Sequence, residues 1–126
     1  KALILGTGGA AKAVEYVLKK IGLDILYVSR NPESDSERSY NEINDVAVKN
    51  FPVIVNSTPL GMHPKVDVCP DIPYEHLTED NLLYDLIYNP GETLFMKKGA
   101  EQGANTQNGL GMLKLQAEKA WEIWNS

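Results

Sequence analysis

The first residues of the chain that are suited to chemistry form a glycine-rich turn, which includes Gly6, Thr7, Gly8, Gly9 and Ala10. An apolar run of strand length precedes the turn, and a segment with helical periodicity follows it. Glycine at the first position permits a tight bend, and Gly8 lets the backbone approach a pyrophosphate closely. The free N–H groups at the positive end of the following helix attract negative phosphates. The turn therefore predicts a dinucleotide-binding site; the alternative is an ordinary tight turn between a strand and a helix.

A second polar cluster, Ser29-Arg30-Asn31, stands at the end of the next apolar run and bears on which dinucleotide is bound. An Asp or Glu at this place would bind both ribose hydroxyls of NAD, and the acid is absent. The guanidinium of Arg30 can instead pair with a 2′-phosphate through two hydrogen bonds, and Ser29 and Asn31 can donate others. The cluster predicts NADP as the cofactor. The alternative is a solvated Arg30, and the acidic residues of segment 33–37 would repel a phosphate if they turned inward.

These residues need a fold that brings the ends of the apolar runs together. The runs predict strands over residues 1–5, 25–28, 51–55, 82–86 and 104–107, with a brief edge strand over 38–40. Periodic apolar positions and caps predict helices over 10–21, 93–102 and 112–124, with one helical turn over 74–77. We therefore predict an α/β fold: a three-layer, Rossmann-like, doubly wound domain with a mainly parallel sheet. Its ligand cleft lies along the carboxyl ends of the strands.

One connection departs from this scheme. Segment 31–37 is entirely polar and too short for the crossover helix that usually joins two parallel strands. In contrast, other connections contain clear helix caps. Gly22 and Gly103 are expected to end helices, and Thr93 is expected to begin one. The topology between the second strand and the run at 51–55 is therefore left open by the sequence.

The composition limits the class of protein. The chain has 126 residues and a net charge of −5, and 43% of the residues are apolar. This size predicts one domain over residues 1–126, and the acidic balance opposes nucleic acid and anionic membranes as partners. No membrane span or export signal is recognisable, so we expect a cytoplasmic protein. Cys69, His63 and His76 have no companions at ligand or triad spacing, so we assign no metal and no catalytic role to them.

Four blocks of sequence, in this order, resemble the C-terminal domain of shikimate dehydrogenases. The blocks are Gly6-Thr7-Gly8-Gly9-Ala10, Asn56-Ser57-Thr58-Pro59-Leu60-Gly61-Met62, Tyr84-Asp85-Leu86-Ile87-Tyr88-Asn89-Pro90, and Asn108-Gly109-Leu110-Gly111-Met112-Leu113 with Gln116. The resemblance implies the reversible, NADPH-dependent reduction of 3-dehydroshikimate to shikimate, a step in the biosynthesis of chorismate and the aromatic amino acids. The small-molecule substrate would be shared with a second, N-terminal domain.

The resemblance also implies roles for residues in the later blocks. The nicotinamide side of the cofactor would be lined by Thr58, Leu86, Gly109 and Met112, and the substrate would be bound by Tyr88 and Gln116. The three residues Tyr88, Met112 and Gln116 could instead be ordinary loop, core and surface residues. Asn56 and Asp85 could be strand-end residues that satisfy the backbone of turns.

The family's proton-transfer pair, a Lys and an Asp, belongs to the N-terminal domain. The chain opens at Lys1 inside an apolar run, so we expect it to be part of a longer enzyme, without catalytic residues of its own and inactive alone. Two alternatives stay open: a quinate or shikimate dehydrogenase that prefers NAD, and a non-catalytic, nucleotide-binding regulatory module. A homodimer is also open. We further expect the last helix to contact the N-terminal domain as well as the sheet.

Overall fold

A single parallel sheet forms the centre of the molecule. The computed structural model describes residues 1–87 and 91–108, and these form six strands in the order β3-β2-β1-β4-β5-β6. The strands are β1 Ala2–Leu5, β2 Ile25–Val28, β3 Glu37–Arg38, β4 Val53–Asn56, β5 Leu82–Asp85 and β6 Asn105–Asn108. Every pair of neighbours in this sheet is parallel. The predicted α/β, Rossmann-like class is confirmed, and the sheet of the described residues is wholly rather than mainly parallel.

Three α-helices lie among the described residues: α1 Gly9–Lys20, α2 Asp45–Asn50 and α3 Leu94–Glu101. Their ends follow from local chemistry. Gly22 closes α1 with a φ of +94°, the left-handed conformation that glycine adopts without steric cost. The hydroxyl of Thr93 caps α3 by accepting a hydrogen bond from the Met96 N–H at 3.3 Å. Both caps confirm the sequence predictions. The predicted helix over 112–124 lies outside the described residues.

The segment between β2 and β4 differs from the prediction. The edge strand predicted over 38–40 is wrong in its bounds, because Ser39 and Glu42 form a capping box that starts a short 3-10 helix at Tyr40–Glu42. Helix α2, which follows, was not predicted, since six residues are too few to show a helical period. No crossover helix joins β2 to β3, as the short polar connection required. The helical turn near Tyr74–His76 is confirmed as a 3-10 helix.

The sheet is buried on both faces. On one face, Ala2 and Ile4 of β1 pack with Ala11, Val14 and Leu18 of α1. The opposite face is formed by the alternate residues of β1, Leu3 and Leu5, and it packs with Val48 of α2 and with Phe95 and Met96 of α3. Burying an aliphatic side chain of this size contributes about 1.5–3 kcal/mol. The continuous apolar run of β1 is thus explained by helices on both sides, as in other parallel sheets.

The order of the strands fixes where a ligand can bind. Strand β1 pairs with β2 on one side and with β4 on the other. Strands β2 and β3 thus extend the sheet on one side of β1, and the later strands extend it on the other side, so the topological switch point lies between β1 and β4. The ladder continues beyond the strand ends: Gly6 N–H donates to the carbonyl of Val28 at 2.9 Å, and Ser57 N–H donates to that of Leu5 at 3.0 Å. The loops after β1, β2 and β4 therefore meet at one edge, where open α/β sheets bind ligands. Among the described residues, no helix is long and apolar enough to cross a bilayer.

Candidate functional site

The glycine turn lies between β1 and the start of α1 and has little room for side chains. Gly6 has a φ of +102°, and a Cβ atom there would lie 3.0 Å from Ser57 Oγ and 3.1 Å from Thr58 Cγ2. Both the conformation and the contact with the loop after β4 therefore require glycine at this position. At Gly8 and Gly9, a Cβ atom would meet nothing within 4 Å, so these two glycines leave open space rather than tight packing.

The N-terminus of α1 is open to an anion. Gly8 is its N-cap residue and offers no side chain to accept from the first amides, and the first turn contains no acidic residue. The first N–H groups of a helix have no partner within the helix. They therefore point their partial positive charge toward the glycine turn, where a phosphate can accept from them.

A first cavity of about 420 Å³, which we name the Arg30 cavity, opens beside this turn. It is lined by Gly6, Thr7, Gly8, Val28, Ser29, Arg30, Asn31, Tyr40, Ser57, Thr58, Pro59 and Leu60. The structure thus brings the glycine turn and the polar cluster after β2 into one space. The acidic residues of segment 33–37 are not among the lining residues.

The side chain of Arg30 is available to bind an external partner. Its side chain is exposed and forms no hydrogen bond or ion pair within residues 1–87 and 91–108. Arg38, eight positions later, is engaged: its Nη1 atom donates to the carbonyls of Asp35 at 2.6 Å and Glu37 at 3.0 Å. Of these two arginines, only Arg30 has a guanidinium that a phosphate can take without breaking an existing bond.

A second cavity of about 520 Å³, which we name the Leu86 cavity, lies on the other side of the loop after β4. It is lined by Ala10, Ser57, Thr58, Pro59, Met62, His63, Leu86 and Ile87. Segment 57–59 lines both cavities and forms the wall between them. Since Gly8 of the α1 N-terminus lines the first cavity and Ala10 lines the second, the positive end of α1 connects them.

Segment 57–59, the wall between the two cavities, is held in place by a buried pair of residues at the ends of β4 and β5. Asn56 and Asp85 face each other in the sheet register and are both fully buried. Asn56 Nδ2 lies 3.3 Å from each carboxylate oxygen of Asp85. The carboxylate also accepts from the Ile87 N–H at 2.9 Å and from the Thr93 hydroxyl at 2.7 Å. Asp85 therefore joins the end of β4, the loop after β5 and the start of α3.

The buried pair of Asn56 and Asp85 is also hydrogen-bonded to a residue that lines both cavities. Asn56 Oδ1 accepts from both the N–H and the hydroxyl of Thr58, at 3.0 and 2.6 Å. Thr58 Oγ1 in turn accepts from the Leu60 N–H at 3.2 Å. Burial raises the pKa of Asp85 above its usual value, against the hydrogen bonds from Thr93, Ile87 and Asn56, which lower it. The alternative considered for Asn56 and Asp85, that they satisfy the backbone of turns, is confirmed by these contacts.

Ten of the fourteen predicted site residues lie in the described part of the chain, and nine of these ten line a cavity. The Arg30 cavity collects Gly6, Thr7, Gly8, Ser29, Arg30, Asn31 and Thr58, and the Leu86 cavity collects Ala10, Thr58 and Leu86. Gly9 begins α1 and lines neither cavity. The remaining four, Tyr88, Gly109, Met112 and Gln116, lie outside the described residues.

Several residues that line the cavities are not among the site residues predicted from the sequence. These are Val28, Tyr40 and Leu60 in the Arg30 cavity, Met62, His63 and Ile87 in the Leu86 cavity, and Ser57 and Pro59 in both. The block 56–62 contains four of them and could have been predicted as a unit, because a loop that follows a central strand faces the cleft. For Tyr40 and His63 the sequence carries no such signal, since their positions depend on how long loops pack.

Comparison with known proteins identifies the relatives of the chain. No model of a protein family matches it. A shikimate dehydrogenase (NADP⁺) from Methanococcus maripaludis is 41% identical over 135 aligned positions, which cover 97% of this chain and 48% of that protein. The crystal structure of a chorismate mutase/shikimate 5-dehydrogenase fusion protein from Clostridium acetobutylicum is 42% identical, with a TM-score of 0.71; the match covers 98% of this chain and 47% of the fusion protein.

A further solved structure is a complex with both cofactor and substrate. Shikimate 5-dehydrogenase from Thermus thermophilus, in complex with NADP(H) and shikimate, is 29% identical, with a TM-score of 0.71 over 98% of this chain and 48% of that one. The chain spans about half the length of the curated relatives it matches. Over nearly its whole length, the chain is therefore homologous to about half of a shikimate dehydrogenase.

Proposed function

We propose that residues 1–126 form the NADP-binding domain of a shikimate dehydrogenase. The whole enzyme would catalyse the reversible, NADPH-dependent reduction of 3-dehydroshikimate to shikimate. The observation that carries this proposal is the divided cleft, in which the open N-terminus of α1 lies between an unpaired Arg30 and the Leu86 cavity. The homology to NADP-dependent shikimate dehydrogenases supports it.

The shape and charge of the cleft fit an extended dinucleotide. Its two cavities, of about 420 and 520 Å³, each have the size of a small-molecule site. A pyrophosphate at the amides of α1 would leave one nucleoside for each cavity. Because the end of β2 offers Arg30 and no acid, the nucleoside in the Arg30 cavity would be the adenosine with its 2′-phosphate.

Each group of residues has a distinct task in this proposal. Ser29, Arg30 and Asn31 would hold the 2′-phosphate, and Thr58 and Leu86 would hold the nicotinamide side, together with Gly109 and Met112. NADPH supplies the hydride when it is bound. The chain's own contribution is to orient the ring against the wall that Asn56 and Asp85 fix, and to keep water away with apolar groups such as Leu86 and Met62.

The rest of the enzyme completes this proposal. The half of the length that the chain does not span would supply the proton-transfer groups and most of the substrate site, and Tyr88 and Gln116 would reach the substrate from this domain. On its own the chain should bind cofactor and not turn over. The proposal places the enzyme in the cytoplasm, without nucleic-acid or membrane partners, and leaves a homodimer open.

A calorimetric titration of the chain with NADPH and NADH tests the proposal. Wild type should prefer NADPH, and Arg30→Ala should weaken NADPH binding by about tenfold or more, the loss expected when a charge-assisted pair is removed. NADH binding should hardly change. Lys49→Ala, which removes a positive charge from the exposed side of α2, is the matched control and should leave both affinities unchanged.

The same titration separates the alternatives. A preference for NADH would show an NAD-dependent quinate or shikimate dehydrogenase and would remove the assigned role of Arg30. Binding of NADPH without shikimate oxidation, once the chain is joined to the N-terminal half of a relative, would instead favour a regulatory module.

A further inference from the structure

Tyr40 is a lining residue of the Arg30 cavity that the sequence did not single out. It is the first residue of the 3-10 helix Tyr40–Glu42 and is half-buried. Its side chain packs against the apolar cluster beneath the sheet, which includes Leu5 and Val28. The ring is therefore held by the core while part of the residue faces the same space as Arg30.

The hydroxyl of Tyr40 has no hydrogen-bond partner within the part of the chain that the structure describes. This sets it apart from Tyr27, whose hydroxyl donates to Glu15 Oε1 at 2.6 Å, and from Tyr74, whose hydroxyl donates to the carbonyl of Pro70 at 2.7 Å. Tyrosine hydroxyls that are partly buried usually find a partner. Because Tyr40 lines the Arg30 cavity, a ligand bound there can supply the missing partner.

The charges around Tyr40 indicate what kind of ligand. Burial raises the pKa of Tyr40, so the phenol keeps its proton and can donate. Arg30 lines the same cavity as Tyr40, and its positive charge lowers the pKa of the phenol, whereas the carboxylate of Asp71 raises that pKa. An O–H donor that shares a cavity with a guanidinium suits a phosphate, because Arg30 can engage two of the terminal oxygens and leave a third for the phenol.

We propose that Tyr40 is a specificity-determining residue, whose hydroxyl donates a hydrogen bond to the 2′-phosphate of NADP(H) beside Arg30. This inference rests on the proposed function. It adds a second donor from a different part of the chain, since Tyr40 lies beyond β3 whereas Ser29, Arg30 and Asn31 directly follow β2. The preference for a 2′-phosphate would then come from two loops rather than from one.

The test uses fragments of the cofactor that differ in the 2′-phosphate. Titration calorimetry compares 2′,5′-ADP with 5′-AMP on wild type, Tyr40→Phe and the control Tyr16→Phe, which alters a tyrosine that is 68% exposed on α1. Tyr40→Phe should weaken 2′,5′-ADP by about tenfold, as expected for a hydrogen bond to a charged acceptor, and change 5′-AMP by less than about twofold. The control should leave both unchanged.

Other results would overturn the inference. Equal weakening of both nucleotides by Tyr40→Phe would assign the residue to the adenosine rather than to the phosphate, and no weakening would remove it from the site. Phe keeps the packed ring, so the thermal midpoint should match wild type and affinity changes can be read directly. A wild-type chain that binds neither NADPH nor 2′,5′-ADP would refute the proposed function itself, a result distinct from a variant-specific failure.

Discussion

The two ends of the cleft lie on the same edge of the sheet, yet they are built in different ways. At the ends of β4 and β5, Asn56, Asp85 and Thr93 are fully buried and every one of them is hydrogen-bonded to another. At the end of β2, Arg30 and Asn31 are exposed, and the side chains of the cluster make one hydrogen bond within the described residues, in which Ser29 Oγ accepts from the Asn31 N–H at 3.1 Å. One end is fixed by the interior and the other is open to solvent.

This difference matches the two tasks of the cleft in the proposed function. Hydride transfer needs a ring placed within a fraction of an ångström, and a buried, cross-linked network provides such placement. Recognition of a phosphate relies on charge and on a flexible side chain that can adjust to its partner, so exposure does little harm. We therefore expect substitutions at the buried end to change stability, and substitutions at the β2 end to change affinity alone.

The largest effect should come from Asp85→Ala, at the buried end. The substitution leaves Asn56 Nδ2, the Ile87 N–H and the Thr93 hydroxyl without their acceptor, and unfolding should become easier by about 3 kcal/mol or more. Urea unfolding followed by circular dichroism measures this. Asp80→Ala removes an exposed carboxylate just before β5 and should change stability by less than about 0.5 kcal/mol. Similar losses for the two variants would contradict the proposed difference between buried and open ends.

A middle-sized effect should distinguish two glycines of the same turn. Gly6→Ala places a Cβ atom 3.0 Å from Ser57 Oγ at a positive φ, so it should lower stability by about 1–3 kcal/mol and also weaken NADPH. Gly8→Ala meets no neighbouring atom, so it should leave the unfolding midpoint close to wild type and weaken only NADPH, by filling the space of the pyrophosphate. Unfolding and titration of both variants check this, and an undiminished NADPH affinity in Gly8→Ala would speak against the turn as the phosphate site.

The smallest effect should come from a surface network on the β2 side of the sheet. Glu15 of α1 accepts from Tyr27 and lies 2.7 Å from Lys19 Nζ, and these bonds lower its pKa from the ordinary value of 4.5. A carboxylate whose pKa is lowered in the folded state stabilises the fold at pH values above its ordinary pKa. This contribution is lost as the pH falls through the lowered pKa. Glu15→Gln should therefore cost less than about 1 kcal/mol at pH 7 and nothing at strongly acidic pH. Urea unfolding of wild type and Glu15→Gln from pH 7 to strongly acidic pH measures this loss of stability. A loss that became larger toward acidic pH would contradict the prediction.

Local signals were sufficient for much of the fold. The apolar runs predicted the strands to within a few residues, and Gly22, Thr93 and Gly103 mark helix ends as their residue types suggested. Helix α2 escaped because six residues give no period. The edge strand was placed too late, since the bond that starts the 3-10 helix joins Ser39 to Glu42 and competes with the strand.

The sequence by itself determined the alternation of strands and helices and the chemistry available at each strand end, because these depend on neighbouring residues. Only the tertiary structure decided which of these groups are engaged. Asn56 and Asp85 meet across 29 positions because parallel strands place them in register, and Arg30 stays unpaired in the described part of the chain while Arg38 is held by its own loop. Such pairings depend on contacts between distant segments, which no local pattern encodes. For the same reason, the sequence did not predict that Tyr40 lines the Arg30 cavity.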